Sequence, residues 1–169
     1  MKQYSWRHDA LVAVIAILLY VLLVYSCAAK GASLSPHQLW ALNYAKQAGE
    51  PYPETLAAII WQESSLCKYK TDREGGIGCG HIFKGAVKAA WQMTVSRYSL
   101  LSDDKLNIHI AAAYLGYCID RTRNWSRAVV CFNSGPYYAQ HASWQHIIHN
   151  KYLLNIKRRI GQIRRLSNG

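Results

Sequence analysis

The sequence predicts a mainly α-helical domain preceded by one N-terminal hydrophobic helix. Apolar residues recur at helical spacing in several segments, whereas no run alternates apolar and polar residues as a half-buried strand would. Turns that contain proline or glycine separate these segments. The chain has 169 residues, enough for one domain with a substantial core, and it shows no internal repeat or low-complexity tract.

The first predicted element is an uncharged apolar stretch over residues 10–29, with basic residues on both sides. A helix needs about 20 apolar residues to span a bilayer, so residues 1–29 are predicted to form a cytoplasmic end and a transmembrane segment. A cleaved signal peptide and a lipoprotein signal at Cys27 are the alternatives. All three would place the linker, residues 30–35, and the domain, residues 36–169, in the bacterial periplasm.

The next two predicted helices begin at prolines. Pro36 opens a helix through about Gly49, which carries Leu42 and its neighbours on one apolar side. Pro53 suits the first turn of the following helix, where its missing N–H is not needed. The polar, glycine-rich residues 67–80 then predict an irregular loop.

Four further helices are predicted in the second half of the chain. Their apolar spacing indicates helices over residues 83–98, 106–119, 125–132 and 143–163. The sequence Asn-Ser-Gly-Pro at 133–136 is expected to end the third of these. The second half of the last helix is basic.

The charge of the chain favours an anionic partner. The formal net charge is +11, and residues 30–169 hold 18 Lys and Arg against 8 Asp and Glu, a net charge of +10. Nucleic acid, anionic lipid and the bacterial cell wall all suit such a charge, and the charge by itself does not choose between them.

Four cysteines lie beyond the N-terminal segment. In an oxidising periplasm these cysteines are expected to form two disulfides between sequence neighbours, Cys67–Cys79 and Cys118–Cys131, and buried free thiols are the alternative. No CxxC pair is present, so zinc ligation, for which His81 beside Cys79 is the one weak sign, is disfavoured. No metal or cofactor is predicted.

Glu63 is the most informative residue, because it lies at the end of the apolar segment that begins at Pro53. Partial burial and the negative end of the helix dipole both disfavour an ionised carboxylate at that position. A carboxyl group held partly protonated is what general acid–base attack on a glycosidic bond requires. The alternative is a solvated carboxylate at a helix end.

Several segments, in order, resemble one enzyme family. They are Glu63-Ser64, Gly-Ile-Gly-Cys-Gly-His-Ile at 76–82, Asn-Ile followed by Ala-Ala-Ala-Tyr-Leu at 107–115, Ala-Val-Val-Cys-Phe-Asn-Ser-Gly-Pro at 128–136, and Tyr152. Together they resemble the lytic transglycosylase domain of the soluble-lytic-transglycosylase type, a member of the lysozyme superfamily. The resemblance covers about residues 36–160 and implies a lysozyme-like fold.

The resemblance implies roles for individual residues. Glu63 would be the catalytic residue, and the substrate-binding residues would be Ser64, Gly78, His81, Tyr114, Phe132, Asn133 and Tyr152. The chain departs from the family where His81 replaces a glutamine and Phe132 replaces a tyrosine. Asp72 and Glu74 are interpreted as solvated loop charges, with a role in a hydrolytic variant as the alternative.

The resemblance further implies a peptidoglycan lytic transglycosylase. Such an enzyme cleaves the β-1,4 bond between N-acetylmuramic acid and N-acetylglucosamine to give 1,6-anhydromuramyl products. The alternatives are a lysozyme-type hydrolase, a non-catalytic wall-binding module, and a nucleic-acid-binding membrane protein suggested by the basic residues at 157–165. We expect peptidoglycan strands as the binding partner and no binding of nucleic acid. We also expect attachment to the inner membrane through residues 10–29, and an envelope or virion complex is the assembly that would suit such a protein. Phage entry or lysis, conjugation or secretion, and wall turnover all remain open as contexts.

Overall fold

The computed structural model describes residues 14–18 and 34–168. The chain divides into two compact units, residues 1–34 and 35–169. In the first unit residues 14–18 are helical, and the rest of the predicted membrane segment at 10–29 lies outside the described residues. Among the helices that are described, none combines the length and the apolar character needed to cross a bilayer.

The second unit is built from helices, which confirms the mainly α-helical prediction. We number the helices of residues 34–168 in chain order as α1 Pro36–Ala48, α2 Pro53–Ser64, α3 Lys84–Trp91, α4 Arg97–Ser102, α5 Asp104–Thr122, α6 Trp125–Ser134, α7 Pro136–His141, α8 Trp144–Ile148 and α9 Lys151–Ser167. The only β-bridges described in this unit are the isolated pairs Thr71–Ile77 and Ile77–Ile82, which fold the loop between α2 and α3 onto itself.

Helix α1 begins where the sequence predicts it, because Ser35 and Gln38 cap its first turn through two reciprocal hydrogen bonds. The Ser35 hydroxyl accepts a hydrogen bond from the Gln38 backbone N–H at 3.2 Å, and the Gln38 side chain accepts one from the Ser35 N–H at 3.0 Å. This reciprocal pair satisfies two donors that the first turn of a helix leaves free. Pro36 occupies the first helical position, where its fixed φ suits the helix.

Helix α2 lies at the centre of the unit. Residues 55–60 are all buried, so every face of this part of the helix contacts protein rather than water. It packs against α1 and α9, and also touches α5. Glu63 therefore belongs to the last turn of a buried helix, at the point where that helix leaves the core.

Two predicted helices are wrong in their extent. The helix predicted over 83–98 is divided, because Gln92 adopts a left-handed conformation at φ 55° that ends α3, and Ser96 caps the separate helix α4. The helix predicted over 143–163 is also divided, into α8 and α9. Asn150 causes the second break, because its side chain accepts a hydrogen bond from the Leu153 N–H and starts a new helix.

Both predicted disulfides are present, with Cα–Cα distances of 4.4 Å for Cys67–Cys79 and 5.7 Å for Cys118–Cys131. The first joins the residues that follow α2 to the loop before α3. The second joins α5 to α6, two helices that pack closely along their lengths. The alternative of free thiols at these four positions is therefore wrong.

Candidate active site

A cleft of about 360 Å³ opens at the end of α2. Its lining combines one carboxylate, one imidazole, several aromatic rings and small residues that leave the cleft open. The residues are Glu63, Gly80, His81, Ile82, Phe83, Gly85, Ala86, Ala89, Tyr114, Tyr117, Phe132, Asn133, Gly135 and Pro136.

Glu63 lies in this cleft with only 15% of its side chain exposed. The Tyr152 hydroxyl, in the first turn of α9, donates a hydrogen bond to Glu63 Oε1. Burial, and then the neighbouring Glu63 carboxylate, raise the pKa of Tyr152 well above its usual range. Tyr152 consequently stays protonated and acts as a permanent donor that fixes one oxygen of Glu63.

His81 approaches the other oxygen of Glu63. Its Nδ1 atom is 3.5 Å from Glu63 Oε2 and 3.4 Å from Asp72 Oδ2, and its Nε2 atom is 2.9 Å from the Tyr69 carbonyl oxygen. The ring is 9% exposed. Burial alone would lower the pKa of His81, but the interactions with Glu63, the Tyr69 carbonyl and Asp72 together outweigh it and raise that pKa above its usual value.

The loop that carries His81 is held by a buried asparagine in α5. Asn107 accepts a hydrogen bond from the Gly80 N–H at 2.8 Å and donates to the Ile77 carbonyl at 2.9 Å and to the Leu100 carbonyl at 3.2 Å. Gly78 packs directly on this amide, since a Cβ atom there would lie 2.0 Å from Asn107 Nδ2 and its φ is +76°. Only glycine fits both constraints.

The predicted substrate contact at Gly78 is therefore corrected to a packing role. The residue is buried against Asn107 and does not line the cleft. It acts on the site by allowing the loop with His81 to approach α5.

Ser64 is likewise turned away from the cleft. Its side chain is fully buried, its hydroxyl donates to the Ile60 carbonyl at 3.1 Å, and it accepts from the Cys67 N–H at 2.8 Å. The predicted contact of Ser64 with Glu63 or with substrate is thus replaced by a backbone role. This serine braces residues 65–67, which all adopt left-handed φ values of 52–65° immediately after α2.

Several other residues that line the cleft are aromatic, and we call them its aromatic side. Tyr114 and Tyr117 of α5 stack with ring centroids 5.9 Å apart, and Phe132 of α6 packs 5.4 Å from Tyr114. Burial, and then the neighbouring Tyr117, raise the pKa of Tyr114. Asn133 is exposed at the rim, where its side-chain oxygen accepts a hydrogen bond from Ser134. Flat rings beside a polar acid suit the hydrophobic faces of a sugar.

The structure thus brings most of the predicted site residues to one cleft. Glu63, His81, Tyr114, Phe132 and Asn133 line it, and Tyr152 supports Glu63 through its hydrogen bond.

Three residues near the site escaped the sequence prediction. Tyr117 follows Tyr114 by one helical turn, so helical spacing gave a signal for it, whereas the spacing of Phe83 gave none. Asp72, which the sequence suggested was a solvated loop charge, contacts His81 with its side chain 27% exposed. Its position between Cys67 and Cys79 was the available signal, because a disulfide folds the intervening loop back onto α2.

Within the described residues, one group of side chains has its ligand atoms close enough together to hold a metal ion. The group is Cys67, Cys79 and Asp104. The two cysteines are joined in a disulfide, so neither supplies a thiolate ligand. The zinc alternative for these cysteines is therefore not supported.

Comparison with protein families gives a match to a known domain. The model described as the transglycosylase SLT domain matches residues 41–152, which include Glu63, both disulfides and the whole aromatic side of the cleft. Comparisons with curated proteins and with solved structures returned no match.

Proposed function

The chain belongs to the transglycosylase SLT family, whose model covers more than half of it, and we propose on this basis that it is a peptidoglycan lytic transglycosylase. The substrate is the β-1,4 bond between N-acetylmuramic acid and N-acetylglucosamine. The product is a 1,6-anhydromuramyl end, formed without the consumption of water.

The proposed reaction uses Glu63 twice. Its carboxylic acid first protonates the glycosidic oxygen as the bond from that oxygen to C1 of the muramic residue breaks. The resulting carboxylate then removes the proton from the muramic 6-hydroxyl as O6 bonds to C1. The net result is the transfer of one proton from O6 to the leaving oxygen, so the enzyme returns to its starting state.

One observation carries this proposal. The Glu63 carboxyl group is nearly buried at the end of a central helix, and it lines an open cleft together with several aromatic rings. Tyr152 and His81 approach one carboxyl oxygen each. A carboxyl group held in this way keeps its orientation through both proton transfers.

A lysozyme-type hydrolase is the second candidate, because Asp72 lies close to the same site. Hydrolysis by the usual scheme requires a second carboxylate that activates water or attacks the sugar. Asp72 Oδ1 accepts a hydrogen bond from the Gly76 N–H at 2.7 Å, and Oδ2 faces His81. Both of its oxygens already have partners, which favours the transglycosylase over the hydrolase.

Mass spectrometry of peptidoglycan digested by the purified protein distinguishes these reactions. We expect anhydromuropeptides, which are lighter than the hydrolytic products by one water. Products with only reducing muramic ends would contradict the transglycosylase proposal and favour the hydrolase.

We further propose that the domain acts outside the cytoplasm, tethered to or exported across the bacterial inner membrane by residues 10–29. Two disulfides in a small domain support an oxidising compartment, and the net charge of +11 supports an anionic polymer as partner. A reporter enzyme fused after Gly169 tests this proposal. Activity of a cytoplasm-specific reporter alone would contradict it.

A further inference from the structure

We propose that His81 is the proton partner of Glu63, a positioning residue whose Nδ1 atom holds the proton that Glu63 Oε2 delivers to the glycosidic oxygen. Asp72 and the Tyr69 carbonyl fix the imidazole for this exchange. The inference rests on the proposed transglycosylase function for its chemistry, but the sharing of the proton can be measured without turnover.

The Tyr69 carbonyl determines which ring nitrogen always carries a proton. Nε2 of His81 is 2.9 Å from that oxygen, and a carbonyl oxygen can only accept a hydrogen bond. Nε2 must therefore be protonated in every charge state of the cluster. Any proton that His81 gains or loses is consequently the one on Nδ1, which faces Glu63.

Nδ1 lies between two carboxyl groups whose other oxygens are already occupied. Tyr152 donates to Glu63 Oε1, and the Gly76 N–H donates to Asp72 Oδ1. The inner oxygens, Glu63 Oε2 and Asp72 Oδ2, are 3.5 and 3.4 Å from Nδ1. Two carboxylates facing one nitrogen favour a proton between them, on the imidazole or on one of the carboxyl groups.

This proton has two positions that are relevant to catalysis. With the proton on Nδ1, His81 is an imidazolium and Glu63 is a carboxylate. With the proton on Oε2, His81 is neutral and Glu63 is the general acid. Transfer from Nδ1 to Oε2 supplies the acid for bond cleavage, and the proton later taken from the 6-hydroxyl returns along the same path. No proton is gained or lost over the cycle.

Four elements of the cleft contribute titratable or polar groups around this proton. Helix α2 contributes Glu63, the loop after α2 contributes Asp72 and the Tyr69 carbonyl, and α9 contributes Tyr152 through Glu63. From α5, Tyr114 and Tyr117 face the same cleft. The two carboxylates favour the imidazolium, and the phenols carry no charge while they are protonated.

Nuclear magnetic resonance of the histidine side chains tests the shared proton in the resting protein. We expect the pKa of His81 to fall in Glu63→Gln and, separately, in Asp72→Asn, because each variant removes one negative charge that faces Nδ1. Asp120→Asn, on the exposed surface of α5, is the matched control and should leave the titration of His81 unchanged. His146 is exposed and serves as an internal reference in each spectrum.

These spectra also decide the protonated nitrogen. We expect the Nε2–H form whenever His81 is neutral. An unchanged His81 titration in Glu63→Gln, or a neutral ring protonated on Nδ1, would overturn the proposal. Neither variant alters His81 itself, so the measurement does not depend on whether a histidine variant folds.

Kinetics of His81→Gln then separate proton holding from substrate binding. We expect kcat near neutral pH to fall about tenfold or more, the alkaline limb of the kcat profile to move to lower pH, and KM to change by less than about threefold. A raised KM with the same kcat profile would show that His81 contacts substrate and holds no proton for Glu63.

The two proposals can fail separately. Anhydromuropeptide products together with an insensitive His81 titration would leave the transglycosylase in place and remove the proton partner. Reducing-end products together with a Glu63-dependent His81 titration would remove the transglycosylase and keep the shared proton.

Discussion

The polar side and the aromatic side of the cleft are assembled in different ways. On the polar side, Tyr152 of the last helix joins Glu63 and His81, which come from α2 and the loop after it, and the hydrogen-bonded pair Tyr152–Glu63 is separated by 89 residues in the sequence. The aromatic side takes Tyr114 from α5 and Phe132 from α6, two helices that follow each other along the chain and pack side by side.

A disulfide supports each side, and this shows where the site is vulnerable. Cys67–Cys79 holds an irregular loop that is also restrained by the hydrogen bonds of Asn107 and by the burial of Ile77 and Ile82. Cys118–Cys131 joins two helices that already share a packed core. The loop that carries His81 therefore depends on tethers within one short segment, whereas the aromatic side depends on the packing of two helices.

The largest expected effect is on the polar side, at Glu63. Glu63→Gln should lower kcat roughly a thousandfold or more, because one acid–base group typically contributes about 10²–10⁴ and this group acts in two steps. Release of soluble muropeptides measures the loss. Near-normal activity in Glu63→Gln would assign the acid–base chemistry to another residue. The polar side would then no longer differ from the aromatic side in carrying out the reaction.

Removal of the Tyr152 hydroxyl should have the next largest effect. Tyr152→Phe keeps the ring but deletes a hydrogen bond to a carboxyl group, which is worth about 1.5–3 kcal/mol. We expect kcat to fall by about 10- to 100-fold. The control is Tyr98→Phe, since Tyr98 is 79% exposed and does not line the cleft. Equal activity of the two variants would reduce Tyr152 to a packing residue.

The two disulfides offer a matched comparison, since they join cysteines 12 and 13 residues apart. Removal of either pair, as Cys67→Ala with Cys79→Ala or Cys118→Ala with Cys131→Ala, should lower the free energy of unfolding by about 3 kcal/mol. At a temperature where both double variants remain folded, only the one that lacks Cys67–Cys79 should lose much activity, because it releases the loop that carries His81. Similar activity losses in the two would show that the loop needs no tether of its own.

The smallest effect is expected on the aromatic side. Tyr117→Ala removes one ring of the stacked pair with Tyr114 and should raise KM several-fold while kcat changes little, since aromatic contacts are worth about 0.5–1.5 kcal/mol each. Steady-state kinetics on soluble glycan strands give both constants, and Tyr98→Ala is the control. A fall in kcat with unchanged KM would place this side in the chemistry as well.

The helical class, the start of α1 at Pro36, the start of α2 at Pro53 and both cysteine pairs could be predicted from the sequence. Each depends on residues that lie close together in the chain: a cap and a proline, a run of apolar residues, or two cysteines about a dozen residues apart. The same reasoning predicted helices that continue through Gln92 and Asn150. Both predictions are wrong, because single residues there change the backbone direction inside otherwise helical patterns.

The orientation of the loop side chains was decided only by tertiary structure. Ser64 follows Glu63 directly, yet its hydroxyl points into the backbone turn at Cys67, whereas Glu63 faces the cleft. Gly78 looks like part of a substrate motif, and in the structure it makes room for Asn107, 29 positions further along the chain. Positions this far apart in sequence carry no local periodicity that would reveal their contact.

The sequence by itself determined that a carboxyl group stands at the end of a buried helix, because apolar periodicity and a proline mark that helix. Tertiary structure alone decided which groups surround the carboxyl: Tyr152 from the last helix on one oxygen, and His81 with Asp72 near the other. The physical reason is the distance along the chain over which each kind of contact acts. Helices form from contacts within a few residues, whereas the groups that contact Glu63 are brought within a few ångströms only by the folded chain.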